Sequence, residues 1–173
     1  EALFKEMNTL KEEAQKYTSS EDAASESPNK EKQKEEVDSI YKDGISGIKN
    51  WAYFEDFILP AYYTDEFKYK YDTRRYVFAM EIANLQDINR ISGKNEGDKI
   101  FKKLAEVTVE KLLAKGKNNV ALRGKGGIII GFIMDCERIE AIDILHSIYR
   151  KVMASVISGE ITVEPEPVLY AGI

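Results

Sequence analysis

The chain has 173 residues, 43% of them hydrophobic and 10% aromatic, enough for a packed core and too many for wholesale disorder. Its 25 Lys+Arg against 30 Asp+Glu give a formal net charge of −5, opposite to the basic surplus of a general nucleic-acid binder. One cysteine (Cys136) and one histidine (His146) exclude an internal disulfide, a multi-cysteine zinc site and the histidine clusters of metal hydrolases.

The length fits one domain with an appendage. The longest apolar run, Gly126–Met134, is too short to span a bilayer, and no signal peptide is visible. A chain that opens on Glu1 rather than Met reads as a fragment with more sequence upstream. The charge is uneven: residues 1–43 hold 7 Lys+Arg and 12 Asp+Glu, and the remainder holds 18 of each. The composition shifts at the same place, so residues 1–42 are expected to form a helical stalk and residues 43–173 a neutral globular domain. In the stalk, Leu3, Met7, Leu10, Ala14 and Tyr17 alternate at spacings of four and three, the a/d seam of a short coiled coil or the apolar side of a single amphipathic helix. Thr18 through Pro28, rich in Ser, predicts a flexible break over about residues 18–30. Val37, Ile40 and Tyr41 then supply a second apolar face.

The globular part begins with a predicted helix over Asn50–Tyr62, with Trp51, Phe54, Ile58 and Leu59 at helical spacing and Asn50 as N-cap. A polar, tyrosine-rich connection covers Tyr62–Thr73. Arg75–Ile82 (RYVFAMEI) is dense in β-branched and aromatic residues and predicts a central buried strand. A short helix at Leu85–Ile91 and a loop at Ser92–Gly97 follow. Glu96–Lys115 predicts a long helix lined by Ile100, Leu104, Val107, Leu112 and Leu113, with Gly116 as C′ residue. Asn119–Arg123 and Gly127–Met134 predict a β-hairpin around Gly-Lys-Gly-Gly. Cys136–Met153 predicts a helix that turns Ile139, Ile142, Ile144, Leu145, Ile148 and Val152 inward, and Ile161–Val163 and Val168–Gly172 predict short terminal strands. A hairpin inside an alternating strand–helix pattern marks an α+β, ferredoxin-like antiparallel or mixed sheet with helices on one main face.

Several features have plain structural readings. Gly124-Lys125-Gly126-Gly127 lacks the strand–loop–helix context of a phosphate loop and reads as a turn. His146 reads as a partly packed structural residue and Cys136 as an inert thiol. Lys68, Lys70, Arg74 and Arg75 read as a solvated basic connection. Tyr62, Tyr63, Tyr69, Tyr71 and Tyr76 form an aromatic-rich patch suited to a partner surface.

Five segments in order carry a resemblance. Asp43-Gly-Ile-Ser46-Gly47-Ile48-Lys-Asn50 with Phe54, Glu81-Ile-Ala83-Asn-Leu-Gln86-Asp-Ile-Asn89, Ser92-Gly-Lys-Asn-Glu-Gly97-Asp98-Lys-Ile100, the hairpin Val120–Ile128, and Val168-Leu-Tyr-Ala-Gly172-Ile173 resemble successive motifs of GGDEF domains, the diguanylate cyclase family. The likeness runs from about residue 43 to 173. It implies the family's palm-like fold and its chemistry, the condensation of two GTP molecules into cyclic di-GMP on two facing domains. Each of those domains holds divalent metal ions through carboxylates.

The chain departs from the family at the residues that chemistry needs. The first metal-binding Asp is Glu81, the only residual metal-ligand candidate, and the second is Ala83. The signature hairpin is Gly124, Lys125, Gly126, Gly127 and Ile128, with glycines for the acidic pair and a lysine for the second glycine. Gln86 replaces a lysine, and Trp51 and Ala52 replace two arginines. The product-inhibition motif falls on Lys115-Gly-Lys-Asn118, without its Arg fork or its Asp. The family's last helix is absent from residues 43–173. Asn89 and Asp98 stand at the two family positions that hydrogen-bond guanine.

The expectation is therefore a degenerate GGDEF domain with no catalytic residues, acting as a regulatory, dimerisation or partner-binding module. Its expected partners are a second protein or a second copy, met through the stalk or the domain surface, and GTP or cyclic di-GMP, with no nucleic acid. No cofactor is expected, and Mg²⁺ would enter weakly and only with bound GTP. The expected location is the cytoplasm, alone or as the cytoplasmic part of a larger protein. A weakly active cyclase or GTPase and a purely structural interaction domain are the competing readings.

Overall fold

The computed structural model describes residues 39–60 and 75–173. Contacts divide the chain into two units, Glu1–Val37 and Asp38–Ile173. The apolar seam of the stalk, the Thr18–Pro28 break, Val37, and the connection bearing Tyr62, Tyr63, Lys68, Tyr69, Lys70, Tyr71 and Arg74 lie outside the described residues.

Helix α1 (Trp51–Tyr53) runs on into a π-helical stretch (Phe54–Ile58), and its N-cap is Asn50, whose side chain accepts from the Tyr53 N–H at 3.2 Å. Strand β1 (Arg75–Ile82) is followed by α2 (Leu85–Ile91) and α3 (Lys94–Lys115). Strands β2 (Val120–Arg123) and β3 (Ile129–Met134) flank a 3₁₀ turn (Lys125–Gly127). Helix α4 (Arg138–Ile157) and strand β4 (Leu169–Gly172) complete the domain. The sheet order is β2-β3-β1-β4 and every neighbouring pair is antiparallel. Two strand–helix–strand units are thus interleaved, which is the expected ferredoxin-like arrangement.

The period-two pattern sets the two faces. Phe78, Met80 and Ile82 of β1 lie opposite or beside Ile129, Gly131 and Ile133 of β3, and all six are buried. They pack against Ile100, Leu104 and Val107 of α3 and Leu145, Ile148 and Val152 of α4 in one core. Each fully buried aliphatic side chain there contributes roughly 1.5–3 kcal/mol. A Cβ on Gly131 would stand 2.1 Å from Phe78 Cζ, so the Phe78 ring occupies the space above that glycine. On the opposite face the π-helical stretch after α1 covers part of the sheet, where the Phe54 and Phe132 rings stack at 6.2 Å. Tyr41 packs edge-on against Tyr53 and Phe57, whereas Ile40 is exposed.

The differences from expectation have physical causes. Helix α3 starts at Lys94, so the expected Ser92–Gly97 loop shrinks to Ser92 and Gly93. Gly116 closes α3 in extended rather than left-handed geometry. Buried Asn119 replaces the left-handed cap: its Nδ2 donates to the Leu112 and Gly116 carbonyls at 3.0 and 3.1 Å, and its Oδ1 accepts from the Met134 N–H at 2.8 Å. Helix α4 starts two residues late because Glu137 and Glu140 form a capping box. Leu113 and Ile139 are exposed, at 55% and 63%, so the apolar stripes are narrower than the periodicity suggests. Ile161–Val163 is no strand. Both of its ends are buried, but Pro165 and Pro167 remove N–H donors a ladder would need.

Candidate functional site

The Asp43–Asn50 segment is a tight loop. Asp43 Oδ1 accepts from the Ser46 N–H at 2.8 Å and the Ser46 hydroxyl at 2.6 Å. Asp43 N–H donates to the Ile48 carbonyl, and Gly47 takes the left-handed φ of +72° that closes the turn. Arg123 Nη1, from the end of β2, reaches both Asp43 oxygens at 2.8 Å, and its guanidinium lies 4.6 Å from the Phe101 ring centre. Burial pushes the Asp43 carboxyl up, but the hydrogen bonds from Ser46 and Arg123 outweigh it and hold the group below its ordinary value. This knot joins the opening loop, β2 and α3, and so fixes the strand that enters the hairpin.

The hairpin turn is built from the main chain. Gly124 N–H donates to the Ile128 carbonyl at 2.7 Å, and Gly126 and Gly127 adopt φ of +71° and +85°. No carboxylate stands in the turn, and Lys125 is exposed. Glu81 lies on β1 opposite Tyr170 of β4, one residue beyond the Met80–Ile129 pair and therefore at the hairpin end of the sheet. Ala83 is exposed and its N–H bonds the Val168 carbonyl. Among the described residues no three His, Cys, Asp or Glu side chains converge as a metal site. A hard divalent cation takes oxygen ligands, usually one or two carboxylates plus phosphate. Glu81 alone, beside a turn carrying Lys125, does not fit that need.

Asn89 and Asp98 stand on the two arms of the α2–α3 helical hairpin. Asn89 packs directly on Gly97, the residue before Asp98. Leu85 touches both sides: a Cβ at Gly97 would lie 3.4 Å from its Cδ1, and a Cβ at Gly127 would lie 3.5 Å from its Cδ2. Leu85 thus lies between Gly97, the residue before Asp98, and Gly127 of the hairpin turn. Lys115 pairs with Glu140 at 3.4 Å, and Asn118 is exposed. His146 is exposed rather than packed, and Cys136 is buried, which pushes its thiol up. A mostly apolar cavity of about 540 Å³ lies elsewhere, between the Ser46–Ile48 loop, α3 near Val109 and Leu112, and β2. None of Glu81, Asn89, Asp98 or the hairpin turn lines it.

Sequence reading missed three contributors. The first is the Asp43–Arg123 pair, whose members are eighty residues apart. Asn84 donates to the Glu166 carbonyl and accepts from the Val168 N–H, both at 2.8 Å, clamping the segment that leads into β4. Ser92 holds Glu164 of the same segment through its hydroxyl. No spacing rule connects these partners.

The architecture is that of GGDEF domains. The coiled coil and GGDEF domain of DgcB from Caulobacter crescentus, in complex with c-di-GMP, superposes with a TM-score of 0.62 at 13% identity, over 99% of this chain and 82% of that one. The diguanylate cyclase SiaD from Pseudomonas aeruginosa, in complex with its activator SiaC, gives 0.59 at 11% identity, over 99% and 59%. The S helix-GGDEF-EAL region of Vibrio cholerae LapD, bound to c-di-GMP, gives 0.60 at 13% identity, over 83% and 31%. No family model and no curated protein matches the chain. At these identities the likeness is one of fold. No helix among the described residues is long and apolar enough to cross a membrane.

Proposed function

We propose that this chain is a degenerate GGDEF domain that makes no cyclic di-GMP, holds a guanine nucleotide on its α2–α3 hairpin, and acts as a regulatory module on a protein partner or a second copy. The observation that carries the reading is the signature turn. Gly126 and Gly127 place two left-handed glycines where the family's acidic pair belongs, beside Lys125 and with Leu85 between Gly127 and Gly97, the residue before Asp98. Two-metal phosphoryl transfer needs carboxylates there to gather the cations, and a lysine repels them. Guanine recognition needs only an ionised acceptor for N1–H and the 2-amino group and an amide beside it, which Asp98 and Asn89 provide. The regulatory role draws support from fold relatives described with an activator protein or with bound c-di-GMP.

The test is direct. The full chain is incubated with GTP and Mg²⁺ or Mn²⁺, and the products are separated by chromatography. No cyclic di-GMP is expected, and turnover that disappears in Glu81→Ala would overturn the assignment. Calorimetry with GTP, GDP and cyclic di-GMP then measures binding. Heat with a guanine nucleotide that is lost in Asp98→Ala is the expected result, and binding unaffected by that substitution removes the guanine pocket.

A further inference from the structure

The tightest approach on the α2–α3 hairpin is that of Asn89 to Gly97. A Cβ built on Gly97 would stand 1.8 Å from Asn89 Oδ1 and 2.9 Å from Asn89 Cγ, so the carboxamide fills the space that any other residue at 97 would need. Gly97 itself is buried. Helix α2 ends with the Ser92 N–H on the Ile88 carbonyl at 2.8 Å and α3 begins with the Gly97 N–H on the Gly93 carbonyl at 3.2 Å, so only Ser92 and Gly93 separate the two helices. Asn89 Oδ1 is sealed from water and accepts no hydrogen bond. The amide nitrogen is not sealed in this way, and it makes no hydrogen bond among the described residues. Electrostatics favours this orientation. A Cα–H is a weak donor that suits a carbonyl oxygen, whereas an NH₂ turned inward would set its hydrogens against those of Gly97.

We propose that Gly97 is the positioning residue of the guanine pocket, locking the Asn89 amide oxygen-inward so that Asn89 offers the ligand a donor only. The inference rests on the guanine reading given above. Asn89 Nδ2 then pairs with an acceptor and the Asp98 carboxylate with donors. Guanine presents that combination, with N3 as acceptor and N1–H and the 2-amino group as donors. Adenine has neither donor, and xanthine carries a proton on N3. The pocket therefore reads N3 through Asn89, and a glycine at 97 is the condition for it.

The experiment compares GMP with 3-deaza-GMP, whose N3 is replaced by C–H, in titrations of the full chain followed by NMR. Wild type is expected to bind the deaza analogue about 5- to 10-fold more weakly, the weight of one neutral hydrogen bond. Asn89→Ala is expected to bind both ligands equally. Gly97→Ala must displace the amide, so it is expected to lose the discrimination and fall to the Asn89→Ala affinity. Because Gly97→Ala also strains the hairpin, Gly97→Ala with Asn89→Ala serves as the folding control. It should melt above Gly97→Ala alone, with Asn89→Ala affinity. If wild type binds GMP and the deaza analogue equally, or if Gly97→Ala keeps the discrimination, the positioning role is wrong while the guanine pocket stands. If wild type binds no guanine nucleotide, the pocket itself fails and the inference falls with it.

Discussion

Removal of the Asp43 carboxylate should be among the most damaging single polar changes in the domain. Asp43 accepts four hydrogen bonds, two from Ser46 and two from Arg123 Nη1. Its side chain is only 15% exposed and that of Arg123 24%. Breaking a buried ion pair from one side costs about 3–5 kcal/mol, because the remaining charge is left unpaired. Arg123 keeps a quarter of its surface in water and its contact with Phe101, which lowers the expected cost of Asp43→Ala to about 2–3 kcal/mol. In urea, with a slope of about 2 kcal/mol per molar, the midpoint should fall by roughly 1–1.5 M. The pH dependence has a definite sign. The folded carboxyl lies below its ordinary 3.8, so its contribution is complete above that value and is lost as pH falls through the folded one. The gap between wild type and Asp43→Asn should therefore be wide near neutral pH and close in strong acid. A urea midpoint within the error of wild type for Asp43→Ala, or a gap to Asp43→Asn that does not close in acid, would refute the role given to this pair.

Three further outcomes are expected. Gly131→Ala should lose about 1–3 kcal/mol by driving a methyl into the Phe78 ring, and Phe78→Leu in the same chain should recover part of it; calorimetric melting reads both. Asn119→Ala should cost about 2–3 kcal/mol in urea denaturation, since it strips the end of α3 of its side-chain cap and the Met134 N–H of its acceptor. Cys136, 6% exposed and with its thiol pushed up by burial, should react slowly with a thiol reagent in the native chain and promptly in denaturant.

The elements written in the sequence are those whose pattern is local. The run RYVFAMEI gives β1 its bounds at both ends, and LQDINRI gives α2. Elements that misled are those decided elsewhere in the fold. Gly97 falls on the overlap of the expected loop and the expected helix, because glycine disfavours a helix interior and blurs the boundary. It stands in the first turns of α3 because Asn89, from another helix, occupies the place of its Cβ. Gly116 carries the usual mark of a left-handed helix end, yet Asn119 takes the carbonyls that such an end would satisfy. Ile161 and Val163 have strand-like side chains, and burial uses both, but the prolines that follow remove backbone donors from any ladder.

The candidate site divides along the same line. Asn89, Asp98 and Glu81 become candidates by their place in the motif-like segments, because motifs preserve order and spacing. The Asp43–Arg123 pair and the Asn89–Gly97 contact are not legible, because each joins elements whose packing no spacing reports. These long-range polar contacts, with the clamps of Asn84 and Asn119, hold the sheet and helices in place using carboxamides, hydroxyls and one paired carboxylate. Their requirements are separate from those of two-metal chemistry. Glu81, Ala83, Gly126 and Gly127 take no part in any of these side-chain contacts, so replacing a carboxylate at such positions removes no support from the fold. A GGDEF architecture at 11–13% identity to the three solved domains is consistent with that separation. The backbone adds to this. With Gly126 and Gly127 both left-handed, an acidic side chain placed at either position must first overcome the conformational preference of an L-residue, about 1–2 kcal/mol each. A turn in this geometry therefore disfavours carboxylates at both positions through its main chain alone.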